Sequence, residues 1–317
     1  MSRFARLSLS VLVVSVLLVA TAGASSARDA GSGATYMKVK GAKGAKPGGG
    51  GTLLFSHGGA VETSPKVFIV YWGPQWQTGF TTGGYTSAQA QSYVEGFFGG
   101  AGGSSWANSD TQYCQGVPSG TTVCPAGAAF VTNPSGQLGG TWTDTSPVPS
   151  SPTQTQIANE AVAAAAHFGY NANANYMVFT PTGMSSSGFG TRWCAYHSST
   201  SASIGRVAYS YMPYVPDAAG SCGMNFVNGT NDGFGHGYFD GFSIVGGHEY
   251  AEAATDPFPS SGWLDGSGAE NGDKCAWIAS GQGASTNITL GSNYYAVQSL
   301  WSNAFNGGAG GCVLSYP

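Results

Sequence analysis

Charged residues are scarce in this chain, since Lys, Arg, Asp and Glu make up 8% of its 317 residues. Beyond Lys46 the only cations are Lys66, Arg192, Arg206 and Lys274, against fourteen carboxylates. This acidic balance repels the phosphates of nucleic acids and the surfaces of anionic membranes. We therefore expect neither a nucleic acid nor a membrane as a partner.

Long apolar runs are absent after the first 24 residues. At the N-terminus, Arg3 and Arg6 precede an apolar run over residues 7–20, and small residues follow at 22–24. This order is typical of a secretory signal peptide over residues 1–24. A membrane anchor is the alternative, but the run is shorter than the about 20 residues that span a bilayer. The sequence thus predicts a secreted, extracellular protein.

The C-x-x-C spacing is also absent, so a cysteine-ligated zinc ion is not expected. The chain has six cysteines, which in an oxidising compartment favour three disulfide bonds. Of the about fifteen ways to pair six cysteines, proximity in the sequence favours Cys114 with Cys124, Cys194 with Cys222, and Cys275 with Cys312.

The composition divides the chain into three parts. After the signal peptide, residues 25–51 carry four lysines among Gly and Ala and end in Pro47 and four glycines. This predicts a flexible basic tail or a short propeptide. Residues 52–317 are long enough for a single globular domain, with a smaller β-rich part from about residue 258.

The hydrophobic pattern predicts an α/β (α+β) fold. We expect a twisted, disulfide-stapled sheet that is backed by a helix over residues 152–168. A second helix, over residues 240–256, would lie beneath a cleft. The expected strands lie at 67–72, 176–179, 192–197 and 206–214, and a further helix at 87–98.

Carboxylates are concentrated in one short region, where no lysine or arginine separates them. A dense group of negative charges needs a positive partner, and a metal ion is the simplest one. The eight residues are Asp232, Asp240, Glu249, Glu252, Asp256, Asp265, Glu270 and Asp273.

The central motif is His248-Glu249-Tyr250-Ala251-Glu252. On a helix, positions i and i+4 share one face, so His248 and Glu252 can both bind one cation. Glu249 takes the place of the general base in H-E-x-x-H zinc peptidases, where it accepts a proton from the attacking water. The alternative is a hydrogen-bonded polar cluster, or a calcium site that only stabilises the fold.

A third metal ligand is expected in the segment 268–275. We prefer Glu270, with Asp273 as the other candidate ligand. Asp265 and Asp273 are also candidates for a calcium site built from oxygens. Asp256 precedes Pro257, which favours a role in capping the turn, with a second ion as the alternative.

His197 lies on a predicted strand beside Cys194. It is a candidate catalytic residue that would bind the metal or stabilise the oxyanion, and the alternative is a histidine that is only hydrogen-bonded. A serine nucleophile is disfavoured because the chain has no G-x-S-x-G motif. Two carboxylates of the acidic region would also suit a glycosidase.

Four motifs point to a family: FTP at 179–181, WCAYHS at 193–198, HEYAEAATDP at 248–257 and ENGDKCAW at 270–277. They resemble secreted microbial members of the phosphate-induced protein 1 family, the EXORDIUM-like proteins. The resemblance covers most of the chain after Lys66 and implies an exported protein. In plants the family is associated with cell-wall growth and has no settled enzymatic activity. Plant members look degenerate at positions matching His248 and Glu252, which this chain retains.

The motif on the 240–256 helix makes the expected fold broadly zincin-like, and two hypotheses of function follow. The first is a secreted zinc-dependent peptidase that acts on extracellular proteins or peptides, with His248, Glu252 and Glu270 as ligands and Glu249 as the base. The second is a non-catalytic, wall-associated or carbohydrate-binding protein with a structural metal, whose partner would be a cell-wall polysaccharide.

Overall fold

A six-stranded mixed sheet lies at the centre of the computed structural model, which describes Met1, residues 33–42 and residues 52–316. In chain order the strands are β1 (Thr35–Lys38), β2 (Lys66–Trp72), β3 (Leu138–Asp144), β4 (Ala174–Phe179), β5 (Trp193–Ala202) and β6 (Gly205–Met212). Their order across the sheet is β1-β5-β6-β4-β2-β3. Strands β6, β4, β2 and β3 are parallel, whereas β5 is antiparallel to both β6 and β1.

Three long helices pack on the sheet: α1 (Ser87–Ala101), α2 (Gln154–Phe168) and α3 (Asp240–Thr255). Thr86 and Thr153 begin α1 and α2 with a capping box, in which the threonine hydroxyl accepts from the backbone N–H three residues later. At the start of α3, the Asp240 carboxylate accepts from the N–H groups of Gly237 and Asn228, both at 2.8 Å. Side chains thus satisfy orphan backbone donors at the start of α1 and α2, whereas Asp240 ties the start of α3 to the loop before it.

The two faces of the sheet carry separate cores. Alternating residues of β4 show the division, because successive side chains of a strand point to opposite faces. Tyr176 and Val178 join the core that includes Ile157 of α2. Met177 and Phe179 join the core that includes α1 and α3. The predicted helices at 152–168 and 240–256 both pack on a mixed sheet, and the structure places them on opposite faces as α2 and α3.

The remaining elements are short. Five two-stranded pairs join Phe55–Ser56 with Trp263–Leu264, Thr81–Thr82 with Tyr85–Thr86, Cys114–Gln115 with Ala129–Phe130, Thr286–Leu290 with Asn293–Val297, and Leu300–Ser302 with Gly311–Val313. The short helices are Gln75–Thr78 and Phe305–Gly308, with 3-10 turns at Ala107–Gln112, Val215–Cys222 and Asp273–Cys275.

The three predicted disulfide bonds are all present, as Cys114–Cys124, Cys194–Cys222 and Cys275–Cys312. They fit a protein made for an oxidising compartment. Among the described residues, no helix is both long and apolar enough to cross a membrane. The predicted signal peptide, apart from Met1, lies outside the described residues.

The expectation of a flexible tail over residues 25–51 is wrong for residues 35–38, which form β1. Composition suggested a tail because lysine and glycine are common there. The alternating residues Met37 and Val39 are nevertheless buried, and the backbone of β1 pairs with β5. Burial of alternate residues and pairing with a sheet edge outweigh the weak strand propensity of this Lys- and Gly-rich segment.

Candidate metal centre

Helix α3 is buried along its whole length, so every one of its polar side chains must find a partner inside the protein. Gly246 and Gly247 allow this close packing. A Cβ atom at Gly246 would lie 3.1 Å from the ring of Phe98, and one at Gly247 would lie 3.1 Å from the rings of Phe97 and Trp106. The glycines thus allow Phe97, Phe98 and Trp106 to pack directly against the helix that carries His248.

His248 meets two carboxylates through its Nε2 atom. Glu252, one turn further along α3, places Oε1 at 3.0 Å from Nε2, as the i, i+4 spacing predicted. Asp273 places Oδ1 at 3.9 Å from the same nitrogen. The backbone N–H of Asp273 also donates to Glu252 Oε1 at 2.9 Å, which ties the 3-10 turn to the helix.

Gln298 determines the orientation of the His248 ring. Its amide Nε2 donates to the carbonyl oxygens of Gly272 at 2.8 Å and of Ser299 at 3.2 Å, so its Oε1 is the acceptor. That Oε1 lies 3.2 Å from His248 Nδ1. In the neutral imidazole Nδ1 is then the donor, and the lone pair of Nε2 faces Glu252 and Asp273.

Gly272 makes room for this arrangement. A Cβ atom at this position would lie 2.8 Å from His248 Nδ1 and 3.0 Å from Glu252 Oε1. The backbone of the 270–275 segment therefore lies directly against the imidazole and the carboxylate. Any larger residue would displace one of these two groups.

A second histidine, His197 on β5, lies among three glutamates. Its Nδ1 is 3.3 Å from Glu249 Oε2 and 3.4 Å from Glu252 Oε2, and its Nε2 is 3.4 Å from Glu270 Oε1. Glu252 thus contacts both histidines, one with each oxygen. The result is a continuous group with Glu252 at its centre, which we call the His–Glu cluster: His197, His248, Glu249, Glu252, Glu270 and Asp273.

The His–Glu cluster is closed to solvent except at one residue. The side chains of His197, His248, Glu249 and Glu252 are at most 1% exposed, as is that of Glu270. The side chain of Asp273 is 26% exposed. Solvent therefore reaches the cluster on the side of the 270–275 segment.

Two buried carboxylate oxygens of the cluster, Glu249 Oε1 and Glu270 Oε2, have no hydrogen-bond partner among the described residues. A buried polar group without a partner costs about 1–3 kcal/mol, and more when it is charged. A cation bound among these atoms would remove that cost.

The pKa values at the centre of the cluster have moved in opposite directions. Burial alone would raise the pKa of Glu252, but the positive charges of His248 and His197 and their hydrogen bonds lower it to about 2. Burial would lower the pKa of His248, but Glu252, Glu249 and Asp273 raise it to about 10. Without a metal ion, a proton therefore occupies the position between His248 Nε2 and Glu252.

The other carboxyl groups of the cluster are shifted toward the protonated form. Burial raises the pKa of Glu249 and, more strongly, that of Glu270, and the neighbouring histidines offset this only in part. Burial and the charge of Glu252 raise the pKa of Asp273 to about 7. Too few positive charges are available for so many carboxylates in one buried place.

The structure brings all six predicted site residues together, but it divides the predicted ligands differently. Of the two candidate ligands in segment 268–275, Asp273 contacts His248 and the preferred Glu270 contacts His197. Two groups have ligand atoms within 4.8 Å of one another: His248, Glu252 and Asp273, and His197, Glu249 and Glu252. Each group could hold a metal ion.

Asp256 and Asp265 lie outside both groups and have structural partners. The carboxylate of Asp256 accepts from the N–H groups of Ser260, Ser261 and Gly262 at 2.6–3.1 Å, which is the expected capping of the turn. Asp265 forms an ion pair with Lys274 at 2.9 Å. A calcium site shared by Asp265 and Asp273 therefore loses support.

Sequence reasoning missed three buried residues near the cluster, Glu62, Asp110 and Gln298. The pKa of Glu62 is raised well above its ordinary value by burial, against the opposing charge of His197. Asp110 accepts from Asn271 Nδ2 at 2.7 Å, next to Glu270 in the chain. Neither they nor Gln298 lie in a recognisable motif, so only the fold reveals them.

No protein-family model, no curated protein and no solved structure matches this chain. The resemblance to the phosphate-induced protein 1 family therefore stays a prediction from the four motifs. The case for function depends on the geometry of the His–Glu cluster.

Proposed function

We propose that this chain is a secreted metal-dependent peptidase, with zinc held by His248, Glu252 and Asp273. The observation that carries the proposal is the pair of atoms His248 Nε2 and Glu252 Oε1. These two atoms are 3.0 Å apart, and one imidazole nitrogen and two carboxylate oxygens, the third from Asp273, lie within 4.8 Å of one another. The contact between Gln298 and Nδ1 supports the same orientation, since metal-binding histidines commonly donate their other N–H to an oxygen.

The donor set favours zinc over calcium. One imidazole nitrogen and two carboxylate oxygens are ordinary zinc ligands, and three protein ligands leave a coordination position open, as catalytic zinc sites require. Calcium prefers six to eight oxygen ligands, of which the group around His248 offers too few. Calcium remains the alternative ion for a purely structural site.

In this proposal each cluster residue has a separate task. The bound metal would supply Lewis acidity to the substrate carbonyl and to the attacking water. Glu249 has a pKa raised by burial, which suits a group that accepts a proton and passes it on. His197 holds the Glu249 carboxylate at 3.3 Å, and Glu270 holds the other side of the same imidazole. His197 is thus a positioning residue for the base.

The burial of the cluster supports a second candidate function. Five of its six side chains are at most 1% exposed, so a substrate must approach past Asp273. A site closed in this way also suits a structural metal in a wall-associated or carbohydrate-binding protein. The two candidates differ in whether Glu249 does chemistry.

The test compares Glu249→Gln with the wild type. We expect the variant to keep its metal and to lose at least about 100-fold in peptide hydrolysis, the size of a general-base contribution. Glu95→Gln is the matched control, because Glu95 is a half-buried glutamate of α1. The peptidase proposal is abandoned if the metal-loaded wild type hydrolyses no peptide of a diverse library. Equal activity in both proteins would remove Glu249 as the base.

A further inference from the structure

The edge of β5 next to the His–Glu cluster is occupied by the chain's own N-terminal segment, residues 33–42. Thr35 is the register partner of His197, and Met37 is the partner of Ala195. Partners in an antiparallel pair share one face of the sheet, so Thr35 lies on the face where His197 meets Glu249. β1 also contacts α3.

Strand pairing and further hydrogen bonds both hold the backbone of this segment. β5 pairs with it along one side. Beyond that pairing, Ser198 Oγ donates to the carbonyl of Gly33 at 3.1 Å, Trp277 Nε1 donates to the carbonyl of Lys38 at 2.8 Å, and the N–H of Lys40 donates to Ser221 O at 2.9 Å. Contacts of this kind recognise any extended peptide, whatever its side chains.

Side chains add a preference to this backbone recognition. Met37 is completely buried, in a core that also contains Ala195 and Trp277. The position of Met37 therefore accepts an apolar residue.

We propose that the edge of β5 from Trp193 to His197 is a binding surface for extended peptides, and that residues 33–42 occupy it as an internal ligand. The peptides it fits have an apolar residue at the position that Met37 occupies. That such a peptide is then hydrolysed depends on the proposed function, whereas the binding does not. While residues 33–42 stay in place, the edge is closed to other peptides.

A chain that can be cut between residues 43 and 51 tests this proposal. A recognition sequence for a site-specific protease is placed there, and the cut and uncut proteins are mixed with a fluorescent synthetic peptide of residues 33–42. We expect the anisotropy to rise only with the cut protein. A peptide carrying Met37→Asp should bind at least about tenfold more weakly, because it places a charge in an apolar site. Equal binding of the two peptides, or none to the cut protein, would overturn the proposal.

Substitution in the uncut chain gives a second measurement. Met37→Asp should loosen the segment and allow the fluorescent peptide to bind, whereas Ile204→Asp, at a residue that is 38% exposed, should not. If Met37→Asp fails to fold, the cut chain alone decides the question.

Hydrolysis of unlabelled peptides in the same samples separates the two proposals. Binding to the cut chain without hydrolysis would leave the surface in place and argue against the peptidase. Hydrolysis at an equal rate by cut and uncut protein, without binding of the fluorescent peptide, would argue against the surface and leave the peptidase.

Discussion

Helices α2 and α3 are almost equally long, 15 and 16 residues, and lie on opposite faces of one sheet. α2 exposes residues such as Thr155 and Asn159, and its buried side contains Ile157 and four alanines. α3 exposes no residue at all, and its interior includes His248, Glu249 and Glu252. An apolar stripe with one buried glutamate, Glu160, describes α2, whereas the buried group of His248, Glu249 and Glu252 on α3 requires a partner that apolar packing cannot supply.

Replacing one glutamate on each helix tests this comparison with the largest expected effect. Glu252→Gln removes the carboxylate that contacts both histidines, and we expect the zinc affinity to fall more than about 100-fold, since loss of even an outer partner costs 10–100-fold. Glu160→Gln on α2 should leave zinc binding unchanged. Burial raises the pKa of Glu160 to about 8, so a neutral amide replaces a group that is largely neutral already. Titration with a competing chelator measures both affinities, and equal losses would contradict the assignment.

The close contact at Gly272 gives the next largest effect. We expect Gly272→Ala to lower the free energy of unfolding by about 1–3 kcal/mol, because its Cβ would press on His248 and Glu252. It should also weaken zinc binding. Gly266→Ala is the control, since nothing lies within 4 Å of a Cβ atom there. Urea denaturation of both variants measures the difference, and an unaffected Gly272→Ala protein would show that the 270–275 segment does not press on the centre.

A pH dependence of stability is the smallest of the three effects. In the metal-free protein the pKa of His248 is about 10, against an ordinary value of 6.5. The proton therefore stabilises the folded state fully below pH 6.5, and this stabilisation disappears as the pH rises through 10. We expect the Tm of metal-stripped wild type to fall between these values by several degrees more than that of His248→Gln. Thermal unfolding followed by circular dichroism measures the difference, and parallel curves would place His248 outside the ion pair.

Local patterns were sufficient to predict most of the central sheet and all three long helices. The run of apolar residues in β2 and the apolar spacing in α2 each indicate their element directly. The disulfide pairs followed from proximity along the chain. β1 was missed because a four-residue strand in a Lys- and Gly-rich segment is formed by its pairing with β5 and not by its own composition.

The candidate site could be predicted only where it depends on helical spacing. The contact between His248 and Glu252 follows from the i, i+4 rule. The choice between Glu270 and Asp273 depends on the 3-10 turn at Asp273–Cys275, which directs the two side chains to different histidines. Gln298 orients His248 from a position 50 residues away in the chain, and no local pattern indicates such a contact.

The most direct test of the account is the metal content of purified protein after dialysis, measured by elemental mass spectrometry. We expect about one zinc ion per wild-type chain, as for a single catalytic site. His248→Ala should contain none, and His57→Ala, at an exposed histidine whose Nδ1 lies 3.2 Å from the carbonyl oxygen of Phe55, should keep its zinc. Zinc that is absent from the wild type, or that is retained in His248→Ala, would contradict a metal centre at His248.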